Sequence, residues 1–283
     1  MTPESLSSSY AEGNADGYAL ARTQREHERL MRQSRLWEPA TRLALERIGL
    51  PPGGRALDVG CGPGETVRLI AERVGLAGHV VGLDVDAEIG RRAVERLQSA
   101  SVYNVTFVHG DASRLTHIDG GPFDLVFARL LLFHARDPAG LLRRLWEWVR
   151  PGGVLLVMDY DTTVARGFPP AGAIERGLDL ARDAFRRAGC DIEIGARMPC
   201  VFVEAGVGPP DTCETASVTL PAPPATAMLR DLLESLRPLI EREALADGAT
   251  LRLLDEELER TARSDVWMRC PDMVATCKRR TLA

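Results

Sequence analysis

The sequence predicts an α/β fold built on a parallel sheet, and three observations carry that expectation. A short apolar run, Ala56, Leu57 and Val59, enters a bend with Gly60, Gly62 and Gly64, and an amphipathic stretch follows at once. Further apolar runs then alternate with helical patterns as far as Asp159. Strands alternating with helices require parallel pairing through right-handed crossovers. The runs are apolar throughout, so both faces of the sheet are expected to be covered.

Taken in order, residues 1–17 are rich in Ser, Gly, Asn and acids, and are expected to be disordered or to order only on binding. From Tyr18 to Ile48 the pattern is helical, with Leu30, Leu36, Trp37, Leu43 and Ile48 among charges, and Pro39 predicts a break between two helices. Pro51-Pro52-Gly53-Gly54 closes that segment. Strands are predicted at 55–60, 79–84, 105–108, 123–128 and 154–159, with helices over 65–74, 87–99 and 138–149 between them. Pro151-Gly152-Gly153 reads as the turn before the strand that ends at Asp159. Beyond it, helices are expected at 174–188, 191–207, 225–246 and 250–262, and strands at 214–220 and 268–278.

The bend is where chemistry is expected. Glycine is needed where the backbone takes a positive φ or approaches a ligand closely, and the first amides of the next helix lack intrahelical partners. The spacing is G-x-G-x-G; a dinucleotide loop, G-x-G-x-x-G, would place its third glycine at Glu65, where a carboxylate would repel a pyrophosphate. The Lys-Ser/Thr pair of a triphosphate loop is also missing. A second strand ends in Asp84, 20 residues beyond Gly64, where a carboxylate accepts the hydroxyls of a ribose. Asp84 could instead cap the following helix, although Asp86 is the more natural cap. The expected ligand therefore has a ribose and no phosphate.

With those residues in view, a resemblance is plain. Leu57–Gly64, Gly82–Asp84, Gly110-Asp111-Ala112 and Phe123–Val126 follow, in order, the nucleotide-side motifs of class I S-adenosylmethionine-dependent methyltransferases, over roughly residues 53–160. Tyr18-Ala19-Leu20 and Glu26–Leu30 with Gln33 resemble the lid segment of small-molecule members. The resemblance implies a Rossmann-like seven-stranded sheet of order 3-2-1-4-5-7-6, flanked by helices. It implies a tail and lid helices over 1–52, a methyltransferase domain over 53–283, and a helical insertion at 221–264 between the last two strands. The implied cofactor is S-adenosyl-L-methionine, with S-adenosyl-L-homocysteine as product.

The resemblance also distributes roles. Gly60, Cys61, Gly62 and Gly64 would cradle the cofactor through backbone, Asp58 would fix the loop or receive the ammonium through water, and Asp84 would hold the ribose. Val85 would pack on the adenine; Asp111 and the amide of Ala112 would read its edge, the alternative for Asp111 being a turn residue. Arg129 belongs near the methionine end, and Tyr18 and Gln33 would face the cofactor from the lid. His134 is the candidate general base, because an imidazole exchanges protons near neutral pH; the alternative is a packing role beneath the cofactor. Asp159, Tyr160 and Asp161 either orient an acceptor or bind nothing.

Composition narrows the class. The 283 residues, 45% hydrophobic with a formal charge of −5, fit a globular domain and not a general nucleic-acid binder. No apolar run is long enough to span a bilayer and the first residues lack a signal pattern, so a cytoplasmic location and no membrane partner are expected. The six cysteines lack C-x-x-C or paired-His spacing, so no metal is expected. The expected activity is methyl transfer to O, N or C of a small-molecule acceptor, a natural product or other metabolite, with a homodimer left open. Rival readings are a peptide, protein or RNA methyltransferase, and a cofactor-binding member that does not methylate.

Overall fold

The computed structural model describes residues 24–282. In chain order the elements are α1 (Gln24–Arg47), β1 (Arg55–Val59), α2 (Glu65–Val74), β2 (His79–Asp84), α3 (Ala87–Ser99), β3 (Val105–His109) and β4 (Phe123–Arg129). A single 3-10 turn, Leu132–His134, precedes α4 (Pro138–Glu147), β5 (Val149–Asp161), β6 (Arg166–Phe168), α5 (Gly172–Arg187) and α6 (Ile194–Glu204). The remainder is β7 (Thr212–Ala216), β8 (Thr219–Pro221), α7 (Ala222–Arg242), α8 (Gly248–Thr261), β9 (Trp267–Arg269) and β10 (Asp272–Arg279).

These elements form two compact units. The larger holds residues 30–165, 191–219 and the stretch from 269 onward. Its sheet has the order β3-β2-β1-β4-β5-β10-β7. Counted within this sheet alone, β7 is sixth and β10 seventh, so the order is the 3-2-1-4-5-7-6 that the motifs imply. The first five strands are parallel, while β10 runs antiparallel to both β5 and β7. Val59 pairs with Leu83 and Ala128, and Ala128 with Val157. The carboxyl ends of β1, β2, β4 and β5 are thereby level, and their loops share one rim, the place where open α/β sheets bind ligands.

Burial explains why the sheet forms. Leu57, Leu125, Val126 and Phe127 are fully buried, as are Ile70 of α2, Leu97 of α3, and Leu142 and Leu145 of α4. Each such side chain contributes about 1.5–3 kcal/mol on leaving water. Asp86 caps α3 by accepting from the amides of Glu88 and Ile89, which leaves Asp84 to other work. Asp137 caps α4, with Pro138 at its first turn.

The smaller unit comprises, among the described residues, 24–29, 166–190 and 220–268. Helices α5, α7 and α8 pack together there, and the short strands form a sheet of order β6-β9-β8. Glu26, 2% exposed, accepts from Arg29 Nε and Nη2 at 2.7 Å each and from Ser235 Oγ at 2.6 Å. A buried carboxylate is tolerated when several donors meet it in this way.

Three local expectations are corrected. Pro39 does not split the first helical segment: α1 is continuous through it. Pro39 is exposed, so the carbonyl it leaves without an amide can reach water, while buried Trp37, Thr41, Ala44 and Leu45 hold the inner face. Residues 151–153 are a bulge within β5: Phe123 pairs with Val149 but Leu125 with Val154, and Arg150 closes the irregularity by pairing with Asp124. Finally, the strand patterns at 214–220 and 268–278 are each divided, giving β7 and β8, and β9 and β10.

Candidate functional site

At the end of β1 the chain turns through Gly60, Gly62 and Gly64 with φ of 71°, 48° and 78°. All three lie in the left-handed region, which costs any other L-residue about 1–2 kcal/mol. The amides of Gly60 and Cys61 both donate to the carbonyl of Leu83, at 2.8 and 3.1 Å, and Gly64 N donates to the carbonyl of Cys61 at 2.9 Å. A Cβ at Gly60 would lie 3.0 Å from Leu131 Cδ1, and one at Gly64 would lie 2.9 Å from Ala93 Cβ. Packing therefore requires glycine at position 64, whereas at position 60 the end of the Leu131 side chain would have to shift. A Cβ at Gly62 would meet nothing within 4 Å among the described residues. The middle glycine opens on free space, as a backbone surface that receives a ligand must.

Asp84 joins this bend. Its Oδ2 accepts the Gly62 amide at 2.8 Å and its Oδ1 accepts the Asp86 amide at 2.9 Å. The neighbouring Val85 is 41% exposed. Across the sheet Asp84 pairs with His109, and its carbonyl accepts the amide of Gly110. Asp111 therefore follows just beyond the same rim. Asp111 Oδ1 accepts from the amide and hydroxyl of Ser113 at 2.8 and 2.7 Å, and Oδ2 lies 3.2 Å from Arg114 Nε. It shapes its own turn, with Ala112 buried beside it.

Behind the bend lies a buried charge. Asp58 is 1% exposed; its Oδ2 accepts the hydroxyl of Thr66, while its Oδ1 has no hydrogen-bond partner among the described residues. Burial pushes this carboxyl up to about 7, opposed by Thr66 and by the Arg129 guanidinium and aided by the nearby Asp84. Arg129, at the end of β4, donates from Nη1 to Thr41 Oγ1 at 2.9 Å and from Nη2 to Ser34 Oγ at 2.8 Å. Burial pushes the guanidinium down from its usual value, while the charge of Asp58 works the other way. Cys61 is buried in the bend, and burial raises its thiol well above the usual range.

The remaining candidates sit at the ends of β4 and β5 and on α1. Gln33 Nε2 donates to the Tyr160 hydroxyl at 2.9 Å, and Trp37 Nε1 donates to the same oxygen at 2.6 Å. Leu130, directly after Arg129, has a φ of 57°, a strained value for a bulky residue. His134 ends the 3-10 turn with its ring edge-on to Phe133, centroids 5.0 Å apart. Tyr18 lies outside the described residues. No group of three or more His, Cys, Asp or Glu that could hold a metal ion occurs among the described residues.

The site thus offers an open glycine backbone, a strand-end carboxylate hydrogen-bonded to it and, among the described residues, a buried carboxylate oxygen without a hydrogen-bond partner. Those features fit an amino acid joined to a nucleoside. A family model described as a methyltransferase domain matches residues 56–153. The chain is 34% identical over 120 residues to phosphoethanolamine N-methyltransferase 1 of Arabidopsis thaliana, an alignment covering 42% of this chain and 24% of that protein. It is 36% identical over 133 residues to the tRNA 5-carboxymethoxyuridine methyltransferase of Escherichia coli strain K12, covering 46% and 49%. The chain therefore spans less than half the length of either relative. In fold, it is similar to a methyltransferase structure from Bacillus halodurans C-125, with a TM-score of 0.60, 16% identity, and 85% and 98% of the two chains covered.

Several residues of the methyltransferase domain's surroundings escape a reading by motif. Thr66 holds Asp58, Ser34 and Thr41 hold Arg129, and Trp37 meets Tyr160. The partners of Arg129 stand 88 and 95 positions away, and hydroxyls on a helix carry no local signal of what they face. Leu131, the ceiling over Gly60, looks like any other apolar residue in Leu130–Phe133.

Proposed function

We propose that this chain transfers a methyl group from S-adenosyl-L-methionine to an O, N or C atom of a small-molecule acceptor. The observation that carries the reading is the Gly62–Asp84 bond, which joins an open left-handed glycine to a strand-end acid on one rim. Bound there, the cofactor would supply a sulfonium-activated methyl group. Asp84 takes the ribose hydroxyls, Val85 covers a face of the base, and Asp111 with the Ala112 amide reads its edge. Gly60, Cys61, Gly62 and Gly64 contribute backbone. Asp58, under the influence of the Arg129 charge, is assigned to the amino-acid end, and Gln33 and Tyr18 are assigned to the lid.

His134 is the group that takes the acceptor's proton where one must leave. A positioned base adds about 10²-fold or more to such a step. The small-molecule reading draws support from the phosphoethanolamine relative and from the formal charge of −5, which disfavours a polyanionic acceptor. No helix among the described residues is long and apolar enough to cross a membrane.

Calorimetric titration with S-adenosyl-L-homocysteine tests the cofactor; absence of heat and of thermal protection overturns it. Incubation with methyl-labelled donor and a metabolite extract, beside a tRNA arm, tests the acceptor. Label in a small product is expected; label in tRNA alone, or in no product despite tight cofactor binding, overturns the assignment.

A further inference from the structure

The segment after β4 is held from beneath by a carboxylate that no step above uses. Asp159 is fully buried near the end of β5. Its Oδ2 accepts the Phe133 amide at 3.1 Å and its Oδ1 accepts the Tyr160 amide at 3.0 Å, with the Leu131 and Leu132 amides turned toward it as well. That segment carries Leu130 at φ 57°, Leu131 against the Gly60 position, and His134. One carboxylate thus gathers the stretch that roofs the glycine bend and carries the candidate base.

We infer that Asp159 is a positioning residue whose charged carboxylate fixes residues 131–134 over the glycine bend. The inference rests on the cofactor reading only in what the positioned segment is for. A strained φ at Leu130 persists only where its surroundings impose it, and amides converging on a buried anion are such a constraint. A neutral carboxyl accepts more weakly, so protonation slackens the segment. Burial pushes Asp159 up to about 7, which brings that loss into a measurable range. Other charged or titratable groups on the elements around this strand end are Arg129 and His134 after β4, Asp161 beside it, Arg197 of α6 held by Asp191, and Asp272 of β10 held by Arg269. Asp58 also titrates near 7.

The test is amide hydrogen exchange over residues 130–135 in the full ligand-free chain, corrected for intrinsic rates, between about pH 8 and about pH 6. Protection is expected to fall about tenfold or more on acidification in the wild type, in Asp58→Asn and in His134→Gln. In Asp159→Asn it is expected to be low and flat. Wild-type protection in Asp159→Asn, or loss of the step in either of the other variants, overturns the inference. If Asp159→Asn does not fold, the double variant Asp58→Asn/His134→Gln decides: a retained step supports Asp159 and a flat profile overturns it. Global stability should move the opposite way, because a carboxyl raised in the folded state adds stability as it protonates. Titration with S-adenosyl-L-homocysteine separates the two readings. A step without binding sinks the cofactor assignment alone, and binding without a step sinks this one alone.

Discussion

Asp84 Oδ2 accepts the amide of Gly62 at 2.8 Å, so the acid that ends β2 and the middle glycine of the bend are one rigid piece. Asp84 Oδ1 meanwhile accepts the Asp86 amide, and Asp86 caps α3. A strand end, a turn and a helix start are thereby tied together by hydrogen bonds within the chain. Preorganisation of this kind lowers the ordering cost of binding.

Asp84→Ala removes both the brace and the ribose acceptor. Cofactor-product affinity is expected to fall by about 1–3 kcal/mol, since buried hydroxyls lose their partner. Calorimetry with S-adenosyl-L-homocysteine measures this, and unchanged affinity would contradict the ribose assignment.

The glycines should separate fold from binding. Gly62→Ala carries a φ of 48° into free space and is expected to cost stability only the left-handed penalty of about 1–2 kcal/mol, while blocking ligand approach. Gly64→Ala adds a contact at 2.9 Å with Ala93 Cβ to a similar penalty and should lower the melting temperature further. Adding Ala93→Gly should recover part of the second loss and none of the first. Equal melting temperatures for the two single variants would refute the distinction.

Much of this site was legible in the chain. Three glycines at alternate positions after an apolar run imply left-handed backbone at the end of a buried strand, and Asp84 stands at the end of the next. The parallel strands β1 to β5 follow from the same logic. The limits are equally physical. Pro39 signals a break only if its orphaned carbonyl is buried, and here it faces solvent. Three-residue strands such as β6 and β9 are too short to show alternation. Which hydroxyls of α1 Arg129 holds, and which backbone amides after β4 Asp159 holds, depends on contacts distant in sequence, which no local pattern encodes.

Two buried carboxyls set an acid-side stability. Asp58 and Asp159 titrate near 7 in the folded chain against an ordinary value of 3.8. The folded state thus binds more protons between those values, so stability from these groups is complete below about pH 4 and is lost as pH rises to about 7, at a slope of about 1.4 kcal/mol per pH unit for each. Urea midpoints measured across that window should fall with rising pH, and Asp58→Asn should shallow the slope. A slope unchanged in the variant would place the titration elsewhere.

His134→Ala should leave S-adenosyl-L-homocysteine affinity within about twofold while cutting turnover about 10²-fold on an acceptor whose nucleophile is protonated. His134→Gln should not restore turnover, because an amide cannot take the proton. Equal turnover in the alanine variant would return His134 to its packing against Phe133.

Arg129 and Asp58 should be coupled in a way that a double variant exposes. Arg129 braces α1 through Thr41 and Ser34, and its charge, after the Thr66 hydrogen bond, opposes the rise in Asp58. Arg129→Met leaves a buried carboxylate without that cation and is expected to cost about 3–5 kcal/mol at pH above 7, where Asp58 is ionised. Below about pH 5 the carboxyl is neutral and the cost should shrink to the lost packing and hydroxyl bonds, about 1–2 kcal/mol. In Arg129→Met/Asp58→Asn the buried charge is gone at every pH, so the alkaline excess should vanish. Denaturant melts of the four chains at both pH values give the coupling energy directly. If the double variant is as unstable above pH 7 as the sum of the singles, the two residues act independently, and the electrostatic account of Asp58 fails.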